Sequence, residues 1–291
     1  MEGIILRGIG SFYTVADEYG VEYTLRAQKK LRRSGMTPAV GDRVVFEPGQ
    51  GEEDGWILSI LPRKSWIERP SVANADVLML VVAPQPKPDL LLIDRLMLRA
   101  SSGGMTPAII VNKTDLSADL FAQLERDYRG TALRLFAVSA HSGEGLEALS
   151  DFMRGRVVCL AGQSAVGKSS LINALLGLTL ETGGLSRKTE RGRHTTRRCE
   201  LLSKNGLYLV DTPGFSLLEL EDRLSPEALA EHYEEYAALA GQCRFSPCLH
   251  DREPGCAVAK AVEAGTLSAE RWTRYKALLL EAREMQRRKY Q

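Results

Sequence analysis

Gly162-Gln163-Ser164-Ala165-Val166-Gly167-Lys168-Ser169 is the stretch on which the reading of this chain turns. The apolar run Val157-Val158-Cys159-Leu160-Ala161 precedes it, and the helical pattern Ser170-Leu171-Ile172-Asn173-Ala174-Leu175 follows. Strand, glycine-bounded loop and helix in that order make a phosphate cradle. The glycines let backbone N–H groups wrap an anion, and the helix N-terminus faces it. Gly162, Ser164, Ala165, Val166, Gly167 and Ser170 are the lining candidates, Lys168 is placed to bridge terminal phosphates, and Ser169 to ligate magnesium. The loop alone does not separate ATPases, kinases and GTPases.

Other strand ends narrow the choice. Asn112-Lys113-Thr114-Asp115 closes the apolar run Ala108-Ile109-Ile110-Val111. A carboxylate at Asp115 can accept from the N1–H and the exocyclic amine of guanine. Adenine offers neither donor, and a buried unpaired acceptor can discriminate by up to about 10⁴-fold. Ser139-Ala140, after Leu133 to Val138, suits a loop whose backbone N–H meets the guanine carbonyl. Asp211-Thr212-Pro213-Gly214 ends the run Leu207 to Val210, with Asp211 placed to hold magnesium through water and Gly214 to sense a γ-phosphate. Between the phosphate loop and Asp211, Gly183 to Arg198 is rich in Gly, Arg and Thr and poor in apolar residues. It reads as a loop ordered by nucleotide, with Thr195 or Thr196 contacting magnesium and the γ-phosphate. Phe215 stands where many GTPases carry a water-orienting glutamine, so slow intrinsic turnover is expected. His194 is the polar candidate for that task, since imidazole donates and accepts near neutral pH; contact with RNA or solvent is its other reading.

Working outward, residues 1–68 form five short alternating runs punctuated by glycines, as a five-stranded oligonucleotide-binding (OB-type) barrel requires. The basic run Arg26 to Arg33 within it fits a solvated loop and an RNA-phosphate contact equally well. Residues 69–220 alternate strands and helices, giving an open α/β sheet with its crevice at the strand ends. Residues 221–291 are helical around Cys243, Cys248, His250 and Cys256 and end in the charged amphipathic stretch Ala269 to Lys289. Three sulfurs and one imidazole within fourteen residues form a complete tetrahedral zinc set with no open position, so a structural zinc is expected. Cys159 and Cys199 are placed on strands rather than among the ligands. The run Arg283 to Lys289 suits a solvated helix face at least as well as RNA phosphates.

Composition sets the outer bounds. The chain has 291 residues, of which 44% are hydrophobic and 26% charged, so disorder and fibrous folds are excluded. Its 38 Lys and Arg against 37 Asp and Glu leave a net charge of +1, so any affinity for nucleic acid must be local. No apolar run approaches the roughly 18 residues of a membrane span, and no secretory signal is visible at Met1-Glu2-Gly3-Ile4. Five cysteines, an odd number, point to the reducing cytosol.

The order of the motifs is the most specific feature. The guanine-reading Asn112-Lys113-Thr114-Asp115 precedes the phosphate loop, whereas most GTPases have the reverse order. A circularly permuted chain builds the same sheet when its termini lie close together. Here the sequence resembles the circularly permuted, ribosome-small-subunit-dependent GTPases of the RsgA or YjeQ type. The resemblance extends through Val40-Gly41-Asp42-Arg43-Val44, Ile60-Leu61-Pro62-Arg63, Arg69-Pro70-Ser71-Val72-Ala73-Asn74, Leu92-Ile93-Asp94-Arg95 and the cysteine cluster. It implies a cytoplasmic GTPase, expected as a monomer without membrane partners. Such a protein takes GTP, magnesium and one zinc, binds the small subunit and its ribosomal RNA late in maturation, and releases after hydrolysis. Two departures stand out: Ala165 replaces a usual glycine and gives no support to potassium, and Arg193-His194-Thr195-Thr196-Arg197 lacks a third threonine. A zinc-dependent RNA-processing enzyme and a non-catalytic GTP-gated RNA adaptor are the rival readings; the closed ligand set disfavours the first.

Overall fold

In a computed structural model of the chain, residues 1–28, 30–31, 36–49, 54–68, 70–178, 199–211, 225–239 and 241–289 are described. His194, Thr195, Thr196, Gly214 and Phe215 lie outside these residues, as do Lys29, Arg32 and Arg33.

The five N-terminal runs form strands β1 (Glu2–Ile9), β2 (Phe12–Asp17), β3 (Glu22–Ala27), β4 (Arg43–Glu47) and β5 (Gly55–Ile60). They pair in the order β1-β2-β3-β5-β4 and close through β1 with β4, with β3 and β5 parallel. Period-two alternation sends Ile5, Val15, Leu25, Val44, Phe46 and Ile57 inward, where each is fully buried. A hairpin of β6 (Trp66–Ile67) and β7 (Val72–Ala73) follows.

The second unit comprises β8 (Val77–Val82), α1 (Leu90–Ser102), β9 (Thr106–Val111), α2 (Asp119–Asp127), β10 (Arg134–Ala137), α3 (Leu146–Met153), β11 (Val157–Ala161), α4 (Lys168–Leu176), β12 (Glu200–Lys204) and β13 (Leu207–Asp211). Its strands lie in the order β10-β9-β8-β11-β13-β12, and only β12 is antiparallel to its neighbour. Every residue of β8 is buried, as a strand covered on both faces demands. Leu92, Ile93, Leu96, Leu120 and Leu124 pack one face of the sheet. Leu149, Met153, Leu171 and Ile172 pack the other. Cys159 is buried on β11, whereas Cys199, expected on a strand, stands one residue before β12.

Barrel and α/β sheet are continuous, which the sequence does not announce. Arg7 of β1 pairs with Glu200 of β12, and their side chains meet at 3.0 Å, giving one eleven-stranded sheet. An irregularity between Ile5 and Arg7 turns β1 so that its far end reaches this edge. Beneath the joint, fully buried Asp42 accepts from Arg63 Nε and Nη2 at 2.7 and 2.8 Å and from the Ala39 N–H at 2.8 Å. Asn74 ties the same joint by donating to Gly41 O at 3.0 Å and accepting from the Lys64 N–H at 2.9 Å.

The C-terminal unit holds α5 (Pro226–Glu231), α6 (Glu234–Ala237), α7 (Ala257–Glu263) and α8 (Ala269–Lys289). The Ser225 hydroxyl accepts from the Ala228 N–H and caps α5. Leu229, Tyr233, Tyr236, Val258, Tyr275 and Leu278 form its core. This unit docks on the α/β domain through charge. Buried Asp94 of α1 accepts from Arg271 Nη1 at 2.8 Å, Arg274 Nε at 2.5 Å and the Tyr128 hydroxyl at 2.5 Å. Arg271 also donates to Glu235, and Arg274 to Asp127 at 3.1 Å. Burial works against the Arg271 guanidinium, but the Asp94 and Glu235 carboxylates more than offset it and hold its pKa above the ordinary value.

Candidate nucleotide-binding site and metal centre

The parallel strands aim their C-terminal ends at one edge, where β9, β10 and β11 hand over to three of the motifs and β13 ends on Asp211. Gly162 ends β11 at φ 139°, and a Cβ there would meet Val81 O at 2.2 Å. Gly167 caps α4 at φ 96°, and its Cβ would meet Asn112 Nδ2 at 2.3 Å. Only glycine fits either place. Lys168, Ser169 and Ser170 form the first turn of α4, whose unpaired N–H groups suit an anion. Ala165 adopts φ 64°, a left-handed conformation that costs an L-residue about 1–2 kcal/mol, so this loop carries strain that glycine would avoid.

Asn112 organises the cleft. It is 1% exposed, donates from Nδ2 to Val166 O at 2.9 Å, and accepts at Oδ1 from the Ala140 N–H at 3.1 Å. The phosphate loop and the Ser139-Ala140 loop are therefore held by one side chain. The Ala140 N–H is engaged by Asn112, and His141 is the next cleft-lining residue on that loop. Lys113 donates from Nζ to Ala165 O at 2.8 Å and Gln85 O at 2.9 Å, so its stem spans from the β9 loop to the phosphate loop. The Ser139 hydroxyl donates to Asp115 Oδ1 at 2.6 Å and orients that carboxylate. Asp115, Asn112, Lys113, Ala140, Gly167 and Ser170 line a cavity of about 530 Å³, within the usual size of a small-molecule site.

At the phosphate end, Lys168 Nζ donates to Gly162 O at 2.8 Å and Gln163 O at 2.6 Å. Burial lowers the Lys168 pKa and the Asp211 carboxylate pulls it back up, which places the two side chains in electrostatic reach. Ser164 is exposed on the same loop. Gln163 is a contributor that motif reading passes over. Its Oε1 accepts from the Asp89 N–H at 2.9 Å, anchoring the loop to the residue whose carboxylate caps α1. Leu116, His141 and Asn173 also line the cavity, and no motif points to them in advance.

The ligand atoms of Cys243, Cys248, His250 and Cys256 lie within 4.8 Å of one another. His250 Nδ1 is 3.7 Å from Cys243 Sγ and 3.5 Å from Cys256 Sγ. Zinc–sulfur bonds of about 2.3 Å and zinc–nitrogen bonds of about 2.0–2.1 Å give a tetrahedral edge near 3.6 Å, so the donor set fits zinc. Burial lowers the His250 pKa and keeps a lone pair free, and it pushes the Cys248 thiol up to about 12. Thiolates here therefore need a cation to offset their desolvation. The Trp272 indole donates to His250 O at 2.7 Å and the Tyr275 hydroxyl to Leu249 O at 2.6 Å, tying the cluster to α8.

Comparison with known proteins agrees with this geometry. The RsgA GTPase family matches residues 60–221, and the RsgA N-terminal domain family matches residues 2–57. The small ribosomal subunit biogenesis GTPase RsgA of Moorella thermoacetica is 42% identical over 285 residues, covering 97% of each chain. That of Geobacillus thermodenitrificans is 40% identical over 289 residues, covering 97% of this chain and 98% of its own. The crystal structure of YjeQ from Thermotoga maritima matches with a TM-score of 0.80 at 33% identity, over 97% of this chain and 98% of its own. YloQ, described as a circularly permuted GTPase, matches at 0.79 and 30% identity, over 97% and 95%. With the loops of Asn112 to Asp115 and Ser139-Ala140 preceding the glycine-bounded loop in the chain and meeting it in one cleft, this protein belongs to the RsgA family of GTPases.

Proposed function

We propose that the protein hydrolyses GTP on the small ribosomal subunit late in that subunit's maturation, and leaves once GDP and phosphate have formed. The observation that carries the reading is the junction at Asn112, where one buried side chain fastens the phosphate loop to the loop of Ser139 and Ala140. Guanine-reading and phosphate-holding groups thus face one cleft. The whole-length likeness to relatives named small ribosomal subunit biogenesis GTPases supports the subunit as partner. The protein acts as a monomer in the cytoplasm, with the barrel and the C-terminal unit contacting ribosomal RNA.

Asp115 accepts from guanine N1–H and amine while Ser139 holds it in place. Gly162, Ser164, Ala165, Val166 and Gly167 present the loop backbone to the phosphates. Lys168 leaves its loop carbonyls to bridge the terminal phosphates, its half-buried ammonium lying within electrostatic reach of Asp211. Magnesium, held by Ser169, Asp211 and Thr195 or Thr196, would neutralise charge on the phosphate oxygens when bound. Gly214 meets the γ-phosphate, and His194 orients the attacking water on the subunit.

Phosphate release and sedimentation test this reading together. Small subunits, and not large ones, should accelerate GTP turnover, and His194→Ala should remove most of that acceleration while nucleotide affinity persists. Co-sedimentation should be stronger with a non-hydrolysable GTP analogue than with GDP and should fall as salt rises. Turnover indifferent to small subunits, with equal binding in both nucleotide states, would contradict the proposal.

A further inference from the structure

Helix α1 carries two apolar faces. Leu92, Ile93, Leu96 and Ala100 pack on the sheet. Leu91, Asp94, Arg95 and Leu98, spaced i, i+3, i+4 and i+7, make a second stripe that belongs to the C-terminal unit. Leu91 and Leu98 join that unit's core, Asp94 accepts from Arg271 and Arg274, and Arg95 Nη2 donates to Glu281 at 2.6 Å. The N-terminal end of the same helix is fastened to the phosphate loop. Gln163 Oε1 accepts from the Asp89 N–H at 2.9 Å, and the Asp89 carboxylate caps α1 by accepting from the Leu92 N–H at 3.0 Å. Asp94 and Arg95 follow Asp89 by five and six residues, about 7–9 Å along a helix. A hydrogen-bonded helix does not stretch over that length, so whatever fixes Asp89 also fixes the seat of α8.

We infer that Gln163 is a positioning residue that couples an occupied phosphate loop to the seat of the C-terminal unit, with α1 as the connecting rod. The inference rests on the reading that this loop holds the phosphates of a guanine nucleotide, and it adds what the occupied loop does at a distance. The loop has two arrangements. In one, Lys168 Nζ donates to the backbone carbonyls of Gly162 and Gln163 at 2.8 and 2.6 Å. In the other, phosphates take that ammonium and the loop N–H groups close on the anion. The second arrangement fixes the Gln163 peptide, and the side chain carries that order to Asp89 and the start of α1. Lys113 braces the loop from its other side, at Ala165 O and Gln85 O, whereas Gln163 reaches the cap of the helix itself. Coupling between two sites is reciprocal, so a well-seated α8 must strengthen nucleotide binding by the same factor. One neutral hydrogen bond carries it, which sets the factor at about two- to tenfold.

Hydrogen exchange on the full chain tests this, without nucleotide and with saturating GDP or a non-hydrolysable GTP analogue. Either nucleotide engages Lys168, so each should slow exchange in α8 by about two- to tenfold while the barrel strands keep their rates. Gln163→Met keeps the length of the side chain and removes its acceptor. It should erase the protection of α8 at nucleotide concentrations that still saturate the variant. Arg95 lies outside the cleft lining, yet Arg95→Ala should weaken GDP binding by about two- to tenfold. The double variant should bind GDP no worse than Gln163→Met alone. A glutamine that only shaped its own loop would leave Arg95→Ala with wild-type affinity. That result, or protection of α8 that persists in Gln163→Met, would overturn the inference. Slowing shared alike by the barrel, the mark of global stabilisation, would overturn it too. So would α8 exchange that ignores nucleotides the wild type binds. Wild-type protein that binds neither nucleotide would instead remove the reading of the cleft, and the inference with it.

Discussion

The protein joins three units with two joints, and they are built from different physics. At the N-terminal joint the barrel extends the α/β sheet through backbone pairing of β1 with β12, braced by Asp42, Arg63 and Asn74. At the C-terminal joint no strand crosses among the described residues. There Asp94 and Asp127 hold Arg271 and Arg274 in a buried network. A barrel has its own closed core, so its joint needs only to set orientation. The C-terminal unit is small, and a small core depends on staples. Its staples are the Cys₃His cluster, whose donors fit zinc, and the charges that α8 buries against α1 and α2.

This contrast ranks the expected effects. Removing zinc should be the most damaging step, since structural zinc in small modules supplies on the order of 10 kcal/mol of folding energy. Protein purified without chelator should hold one zinc per chain. After chelation, hydrogen exchange should rise through residues 225–289 and stay low in the barrel. Asp94→Ala comes next, because it takes one of two carboxylate partners from both Arg271 and Arg274, whose side chains are 6% and 12% exposed, and a broken buried pair costs about 3–5 kcal/mol. Denaturant unfolding should resolve an early transition of the C-terminal unit in this variant. Asp42→Ala should cost less, about 1.5–3 kcal/mol for a charged hydrogen-bonding partner, because Arg63 is 20% exposed and can turn to water. Its signature should be greater proteolysis near residues 60–75 with GTP affinity preserved. Arg7→Ala should do least. The Arg7–Glu200 pair is 46% and 41% exposed, and such surface pairs contribute about 0–1 kcal/mol. A large loss on Arg7→Ala, or a negligible one on Asp94→Ala, would reverse the assignment of the two joints.

How much of this was legible in the sequence follows the same division. The barrel strands and β8 could be read because period-two alternation and continuous apolar runs report burial directly. The phosphate loop, Asn112 to Asp115 and the Cys₃His set could be read because their chemistry demands fixed spacing. The joints could not. Asp42, Asn74 and Asp94 each have a partner far along the chain: Arg63 lies 21 residues from Asp42, Gly41 33 from Asn74 and Arg274 180 from Asp94. Only the folded chain pairs Asp94 with Arg274. A carboxylate beside Leu92, Ile93 and Leu96 on one helix was the available signal, since a buried acid implies a buried base. The pairing of β1 with β12 was hidden for a related reason: an edge strand carries no mark of its neighbour. Asn112 was legible as part of a nucleotide motif, but its service as a strut between two loops depends on side-chain direction, which spacing does not encode.

The central claim is that Asp115, held by Ser139, makes the cleft read guanine. Equilibrium binding of GTP, ATP and xanthosine triphosphate to the wild type and to Asp115→Asn tests it most directly. The wild type should prefer GTP by orders of magnitude. The variant should lose several kcal/mol of GTP affinity, at about 1.5–3 kcal/mol per charged hydrogen bond. It should bind the xanthine nucleotide better, because an amide can donate to the carbonyl that replaces guanine's amine. Equal ATP and GTP binding by the wild type, or unchanged GTP affinity in Asp115→Asn, would contradict the account.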